Sequence, residues 1–531
     1  MAGLIGGPAV QRRTFLAAGG QAVLWAGLIG DLANSAKALS VAEIAGADPD
    51  LHLLRRLSFG PTNAELTRVR SIGRAAYVEE QLKASDLGAD LGATALYPLI
   101  ATTGPAIFAS TAAGFTIDLH VLNLQSAMLY RALFSKAQLF EVMVDFWNDH
   151  FNTYIRKNPI PLKIDFDRNV IRANALGNFK TLLKASVRSA EMLFFLDNWM
   201  NDKGAINENY ARELLELHTL GKSGGYTEAD MKALALILSG LGFIRDLPLA
   251  AVAYGSVQFD ATQHDASEKT FLGQRFAAGG GEEEIDRALD LILDHPGTAQ
   301  HIAHKLCVRF VADEPPVALV DRVAAAFTSS GGDIKTMLRL IFNSSEFAAS
   351  NGAKFKRPLE SMIGAMRACG ANPFDVLNTT LFGLPIAAPN GSLFTGLKQA
   401  GHEPFAWVPP DGYPDRASFW ANTNSMLYLQ KFLVGLVEGL AFGRILANPL
   451  QVLSGTSVAV GVVDAQTPRK AVDNAIANLL FTSLPAAATE ALLNFVAQGA
   501  DPDAVMPAET LEPRVKGLVF VLLSSPWFLT R

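Results

Sequence analysis

The stretch Ser135-Lys136-Ala137-Gln138-Leu139-Phe140-Glu141-Val142-Met143-Val144-Asp145-Phe146-Trp147-Asn148-Asp149-His150-Phe151 decides the fold class. Phe140, Met143, Val144, Trp147 and Phe151 recur at the three- and four-residue spacing of one helical face. Ser135 followed three residues later by Gln138 reads as a capping box opening that helix. His150 continues the apolar face, with Asp145, Asn148, Asp149 and Asn152 close in sequence.

The same punctuation extends in both directions. Upstream, an apolar run over 51–57 follows Asp50 and is broken at Gly60-Pro61, and Thr62-Asn63-Ala64-Glu65 caps the next helix. Downstream, Tyr226-Thr227-Glu228-Ala229-Asp230 starts a helix predicted to end near Gly240. Helical spacing then returns over 282–294, 298–311, 316–328, 334–343 and 357–369, and again through the last hundred residues. Strand character is thin: Ser256-Val257-Gln258-Phe259 and Lys269-Thr270-Phe271-Leu272 suggest a small hairpin or bulged loop. The Pro/Gly-rich, aromatic stretch 385–414 reads as a long ordered loop. The expectation is a mainly α protein, a compact multi-helix array with a β-hairpin or irregular insertion near 252–276. With no polar linker and no solenoid repeat, residues 39–531 read as one large helical domain with sub-lobes near 39–250, 251–370 and 371–531.

Composition excludes several classes. Of 531 residues half are hydrophobic and 18% charged, so the chain can bury a large core. The net charge of -6 comes with no basic stripe to neutralise phosphates, which excludes nucleic acid as the expected partner. Cys307 and Cys369 lie in helical apolar spacing and read as buried thiols, with one disulfide left open. The sequence lacks CxxC and finger-type zinc spacings, GxSxG, P-loop, GxGxxG, HExxH and EF-hand motifs.

The N-terminus has an export layout. Gln11-Arg12-Arg13-Thr14-Phe15-Leu16 precedes an uncharged Ala/Gly/Leu run over 17–30, and Ala36-Lys37-Ala38 presents small residues for cleavage. The run falls short of the roughly 20 strongly apolar residues of a spanning helix. Residues 1–38 are therefore expected to be a twin-arginine-type signal. The remainder is expected to be periplasmic or extracellular, with no transmembrane anchor after processing.

Candidate chemistry concentrates in 197–221. On a helix, Glu208, Arg212 and Glu216 follow at i, i+4, with Glu213 beside them. This is either a solvated ion-pair face or a carboxylate–arginine network beside Asn198, Asn201, Asn207 and Asn209. Such an oxygen-rich cluster suits a hard divalent cation, with His150, Asn207 and Glu208 as candidate metal ligands, or the hydroxyls of a sugar. His264-Asp265 with Lys269 nearby has the make-up of an oriented imidazole. His301 and His304 share a helical face with Lys305, without an acidic partner at zinc spacing.

Together these segments resemble the bacterial domain-of-unknown-function family 1800. The resemblance rests on Leu53-Leu54-Arg55-Arg56-Leu57-Ser58-Phe59-Gly60-Pro61-Thr62, Phe146-Trp147-Asn148-Asp149-His150-Phe151, and the block Asn207–Gly221 with Gly225-Tyr226-Thr227. It continues through His264-Asp265, His295-Pro296, Lys305-Leu306, Ser345-Glu346-Phe347, Lys356-Arg357-Pro358, Pro409-Pro410-Asp411-Gly412-Tyr413-Pro414 and Trp420, departing where Tyr413 stands for a tryptophan. It implies an exported, largely helical protein, frequently encoded beside a sulfatase-like exported protein, and no established activity. Two functions are weighed. One is a hydrolase or lyase on an extracellular or envelope polymer such as a polysaccharide. There Glu208, Glu213 or Glu216 would work with His150 or the His264-Asp265 pair, and Trp199, Trp407, Tyr413 and Trp420 would stack on sugar faces. The other is a non-catalytic partner or chaperone of the sulfatase-like protein.

Overall fold

In the computed structural model, the described residues are 48–83, 92–101, 117–157, 160–245, 255–370, 380–381, 384–385, 393–437 and 467–531. The Arg12-Arg13 segment and much of the 371–392 stretch lie outside them. Helices dominate, and each predicted opening can be compared with its cap. Helix Asn63–Ile72 carries the full Thr62/Glu65 capping box, and helix Glu228–Leu238 carries the matching Thr227/Asp230 box. Helix Pro49–Leu57 is capped by Asp48, three residues before the predicted apolar start.

Helix Gln138–His150 departs from its expected cap. Ala137 occupies the N-cap and makes no side-chain bond to the helix. Ser135 Oγ instead accepts from Ala137 N at 3.1 Å. Gln138 turns back, donating to the carbonyls of Ala132 and Ser135 and accepting from Phe59 N. Its amide therefore ties three segments together, which a local cap would not do. The helix is also more central than a single apolar face implies. Glu141, Asp145, Asn148 and His150 are buried along with Met143, Val144 and Trp147. Each buried polar group has a partner: Glu141 takes Arg172 at 2.7 Å, and Asn148 donates to Asp167 at 2.9 Å.

Helices Glu283–Asp294, Pro296–Phe310, Val317–Ser330, Ile334–Phe342 and Pro358–Ala368 follow the predicted series closely. One hydrophobic core cluster runs from Leu51 to Leu529 and draws on all three sequence stretches. The chain returns to the middle at its last described residues, where Phe355 bridges Thr530 and the Lys354 and Arg531 backbones exchange hydrogen bonds of 3.1 and 2.8 Å. That ladder delivers the Arg531 side chain to Glu360, 3.2 Å away.

Both predicted strands form, but they do not pair with each other. Val257–Phe259 pairs antiparallel with Leu241–Phe243, and Lys269–Phe271 pairs with Gln274–Phe276. The second hairpin turns over Leu272 and Gly273, both with positive φ, the geometry of a two-residue primed turn. Asp230 accepts from Leu272 N at 2.7 Å and fastens the turn to the preceding helix. The insertion thus holds the expected hairpin, and the leucine at the turn position hides only which residues pair with 269–271. Within the expected long loop, 393–399 forms helix Leu393–Gln399. Cys307 and Cys369 are separate buried thiols, each pushed up to about 12 by burial. Among the described residues no helix is long and apolar enough to cross a membrane.

Candidate functional site

A cleft of about 340 Å³ opens where five separate parts of the sequence meet. The C-terminal end of helix Gln138–His150 brings Phe146, Asp149 and His150, and helix Pro296–Phe310 brings His301, His304, Lys305 and Arg309. Arg357 comes from just before helix Pro358–Ala368, and Leu217 from the π-helical turn Leu214–His218. Asp411 through Arg416 close the remaining side.

Two glycines allow these segments to approach. Gly412 has φ +75, and a Cβ there would lie 2.0 Å from the Asp149 carbonyl oxygen. Gly221 has φ +81, and its Cβ would meet His301 Nδ1 at 2.8 Å. No L side chain satisfies both the left-handed backbone and the contact. The wall beyond Gly412 is aromatic. Tyr413 donates to the Glu403 carbonyl at 2.7 Å, and its ring lies 5.0 Å from Trp407 and 4.4 Å from His402.

Behind the cleft lies a buried ionic cluster. Arg357 donates to Asp145 at 2.5 Å and to Asp149 at 2.8 Å, and reaches Glu360 at 3.3 Å. Glu360 also pairs with Arg309 and Arg531, while Asp415 pairs with Lys354 at 3.0 Å and Arg309 at 3.3 Å. Burial works against the Glu360 carboxylate, but Arg309, Arg531 and Arg357 overcome it and hold its pKa well below the usual range. Asp149 goes the other way. Burial and then the neighbouring Asp145 charge raise it to about 7, against the opposing pull of Arg357.

Lys305 faces Asp149 and Asp411 electrostatically. Burial of its ammonium lowers its pKa to about 8, although both carboxylates pull upward. Among the described residues it donates no hydrogen bond that would hold the ammonium in place. The imidazoles are neutral: burial, then Lys305, lowers His218 to about 3 and His301 to about 4, and sends His150 well down. His150 Nε2 donates to the His218 carbonyl at 3.0 Å, and His301 Nε2 donates to the Leu217 carbonyl at 3.0 Å. His218 reaches this interior because the helix Asn209–Glu213 widens into the π turn.

The sequence candidates separate in space. His150 lines the cleft. Glu208 and Glu216 form a solvated ladder, 3.7 and 3.6 Å from Arg212, with side chains 40% and 22% exposed. Glu213 is half-buried and raised, by burial first and then by Glu216, with Asp411 of the cleft adding a smaller push. Asn207 is held by Asn201 and the Asp197 carbonyl, and does not line the cleft. His264 donates from Nδ1 to the Ser239 carbonyl at 2.9 Å and lies 3.4 Å from Glu284. Lys269 joins Glu284 at 2.9 Å and Asp265 at 3.8 Å. The His264-Asp265 group thus ties the β insertion to helix Glu283–Asp294. Among the described residues, no group of three or more His, Cys, Asp or Glu side chains is placed to hold a metal ion.

Asp149, Lys305, Arg309, Arg357 and Asp411 escaped selection by sequence. For all but Arg309 the available clue was their place in the short blocks at 146–151, 305–306, 356–358 and 409–414, which converge only in space. Fold and site define a mainly helical protein with a charged cleft backed by buried ion pairs. The chain matches the family described as "Protein of unknown function (DUF1800)" over residues 52–530 and belongs to that family. No curated protein and no solved structure matches it.

Proposed function

We propose that this protein is an exported enzyme that performs acid–base chemistry on an extracellular or envelope polymer, as a hydrolase or lyase. Asp149 is the base and Lys305 the acid. The observation that supports this is the pair's opposite displacement inside one cleft, Asp149 up to about 7 and Lys305 down to about 8. Groups tuned toward operating pH are the most effective proton carriers, and oppositely shifted pairs mark acid–base assignments. The productive form has Asp149 ionised and Lys305 protonated. Activity should rise as pH passes about 7 and fall above about 8.

Arg357 acts as a positioning residue, since it fixes Asp149 while its other nitrogens hold Asp145 and Glu360. His150 and His301, both neutral, shape the floor. Export is supported by the Arg12-Arg13 layout, and a fusion of residues 1–38 to a reporter that folds in the cytoplasm should reach the periplasm.

The test of the enzyme reading is polymer turnover by the purified protein, followed by new reducing ends and by ultraviolet absorbance of unsaturated products. A lyase gives both signals and a hydrolase only the first. Asp149→Asn and Lys305→Met should each cost about 10²–10⁴-fold in kcat, and each should remove one limb of the pH profile. Turnover unchanged in both variants would overturn the assignment. A protein inert on every polymer that copurifies stoichiometrically with a sulfatase-like exported protein would instead favour the non-catalytic partner reading.

A further inference from the structure

We infer that the cleft takes an acidic glycan, with a carboxylate or sulfate substituent beside Lys305 and Arg416 and a neighbouring sugar ring on the Trp407–Phe419 ridge. This rests on the cleft being the catalytic centre, and it adds the class of polymer.

Three observations carry it. First, the cleft walls hold four cationic side chains, Lys305, Arg309, Arg357 and Arg416 (the last 3.5 Å from the exposed Glu314), against three carboxylates, Asp149, Asp411 and Asp415. Behind them the buried Arg56, Lys354 and Arg531 face the buried Asp145 and Glu360, which leaves the cations in slight excess and the field in the cleft favouring an anion. Second, part of that cationic capacity is unused. Among the described residues, Arg309, with its side chain 2% exposed, has Nε without a hydrogen-bond partner and Nη2 with only Asp145 nearby at 3.9 Å, and the Lys305 ammonium of the same cleft has no hydrogen-bond partner. Buried N–H donors without acceptors are costly, and an anionic oxygen at this wall offsets that cost.

Third, an aromatic ridge continues the cleft, buried at Tyr413, half-buried at Trp407 and exposed at Phe419. Tyr413 lines it, Trp407 packs 5.0 Å from Tyr413, and Phe419 lies 5.7 Å from Trp407. Phe419 is 40% and Val408 61% exposed. Trp407 Nε1 donates to Asp411 at 2.8 Å, which fixes the indole to the lip of the cleft. Flat apolar faces next to a cationic pocket match a sugar ring carrying a charged substituent, and they suit an extended acidic peptide less well.

Tryptophan fluorescence of the full chain would be titrated with oligogalacturonate, a sulfated carrageenan oligosaccharide and a neutral cello-oligosaccharide. At least one acidic ligand should bind about tenfold more tightly than the neutral one; which one identifies the substituent. Lys305→Met should reduce that affinity about tenfold, to the neutral level. Arg416→Gln, at a half-exposed side chain where folding is not at stake, should weaken acidic ligands only. Phe419→Ala should weaken acidic and neutral ligands alike. Equal binding of all three sugars, no binding of any, or stronger binding of poly-glutamate would overturn the inference. Asp149→Asn separates the two readings: it should lower turnover about 10²–10⁴-fold yet still bind the acidic sugar more tightly than the neutral one. If it keeps turnover, the acid–base assignment falls while the substrate class stands.

Discussion

Two regions of this molecule use the same side chains to opposite ends. On the 208–216 helix, Arg212 reaches Glu208, Glu216 and Glu228 at 3.4–3.7 Å, with carboxylates 22–78% exposed. Behind the cleft, Arg357 reaches Asp145, Asp149 and Glu360 at 2.5–3.3 Å, with carboxylates 2–20% exposed. Water screens the first group, and its geometry is loose. The second has been removed from water, so every charge depends on its partners. The density of charged residues in a sequence window therefore says little about where chemistry is prepared. Among buried carboxylates the partners decide: Asp149 is raised by burial and by Asp145, while Glu360 is held well below its usual range by Arg309, Arg531 and Arg357.

The contrast can be broken by mutation, beginning with its strongest expected effect. Glu360→Ala removes the shared partner of Arg309, Arg357 and Arg531 and should cost about 3–5 kcal/mol in denaturant unfolding. A loss no larger than that of a surface substitution would mean that the cluster is wetter than its burial indicates. Gly412→Ala places a methyl against the Asp149 carbonyl at positive φ and should cost about 1–3 kcal/mol. Because it moves Asp149, it should also depress kcat; normal turnover with normal stability would show that the loop does not position the site.

Acid sharpens the comparison further. His218 and His301 stay neutral in the fold, with values near 3 and 4, while unfolded histidine titrates near 6.5. The unfolded chain therefore binds more protons, and stability falls as pH drops below about 6.5 toward those folded values. Each histidine contributes up to about 1.4 kcal/mol per pH unit. Melting temperatures across that window should show the decline, and His218→Phe should flatten it. The smallest effect belongs to the ladder: Arg212→Gln should change unfolding free energy by no more than about 0.5 kcal/mol. A loss comparable with Glu360→Ala would erase the distinction between the two regions.

Periodicity and caps were legible because they are local. The Thr62/Glu65 and Thr227/Asp230 boxes fixed helix starts, and 283–294 through 358–368 followed from apolar spacing alone. The Ser135/Gln138 box failed because Gln138 had a better use, bonding Phe59 from a distant segment. The strands at 257–259 and 269–271 were recognisable, but their partners were not, since Leu272 disguises the turn that pairs 269–271 with 274–276. The site was legible only in part. His150 stood out as a histidine on an apolar face, whereas Lys305 looked like one more helical cation and Arg357 like a residue before proline.

By itself the sequence determined a mainly helical chain of one family and most of its helix boundaries. These follow from interactions within a few residues, which the order of side chains specifies directly. Tertiary structure alone decided which charges are solvated and which are buried. It set Asp149 beside Asp145 and brought Lys305 to face Asp149. Desolvation and long-range pairing depend on what packs above a side chain, and here that cover comes from residues far away along the chain.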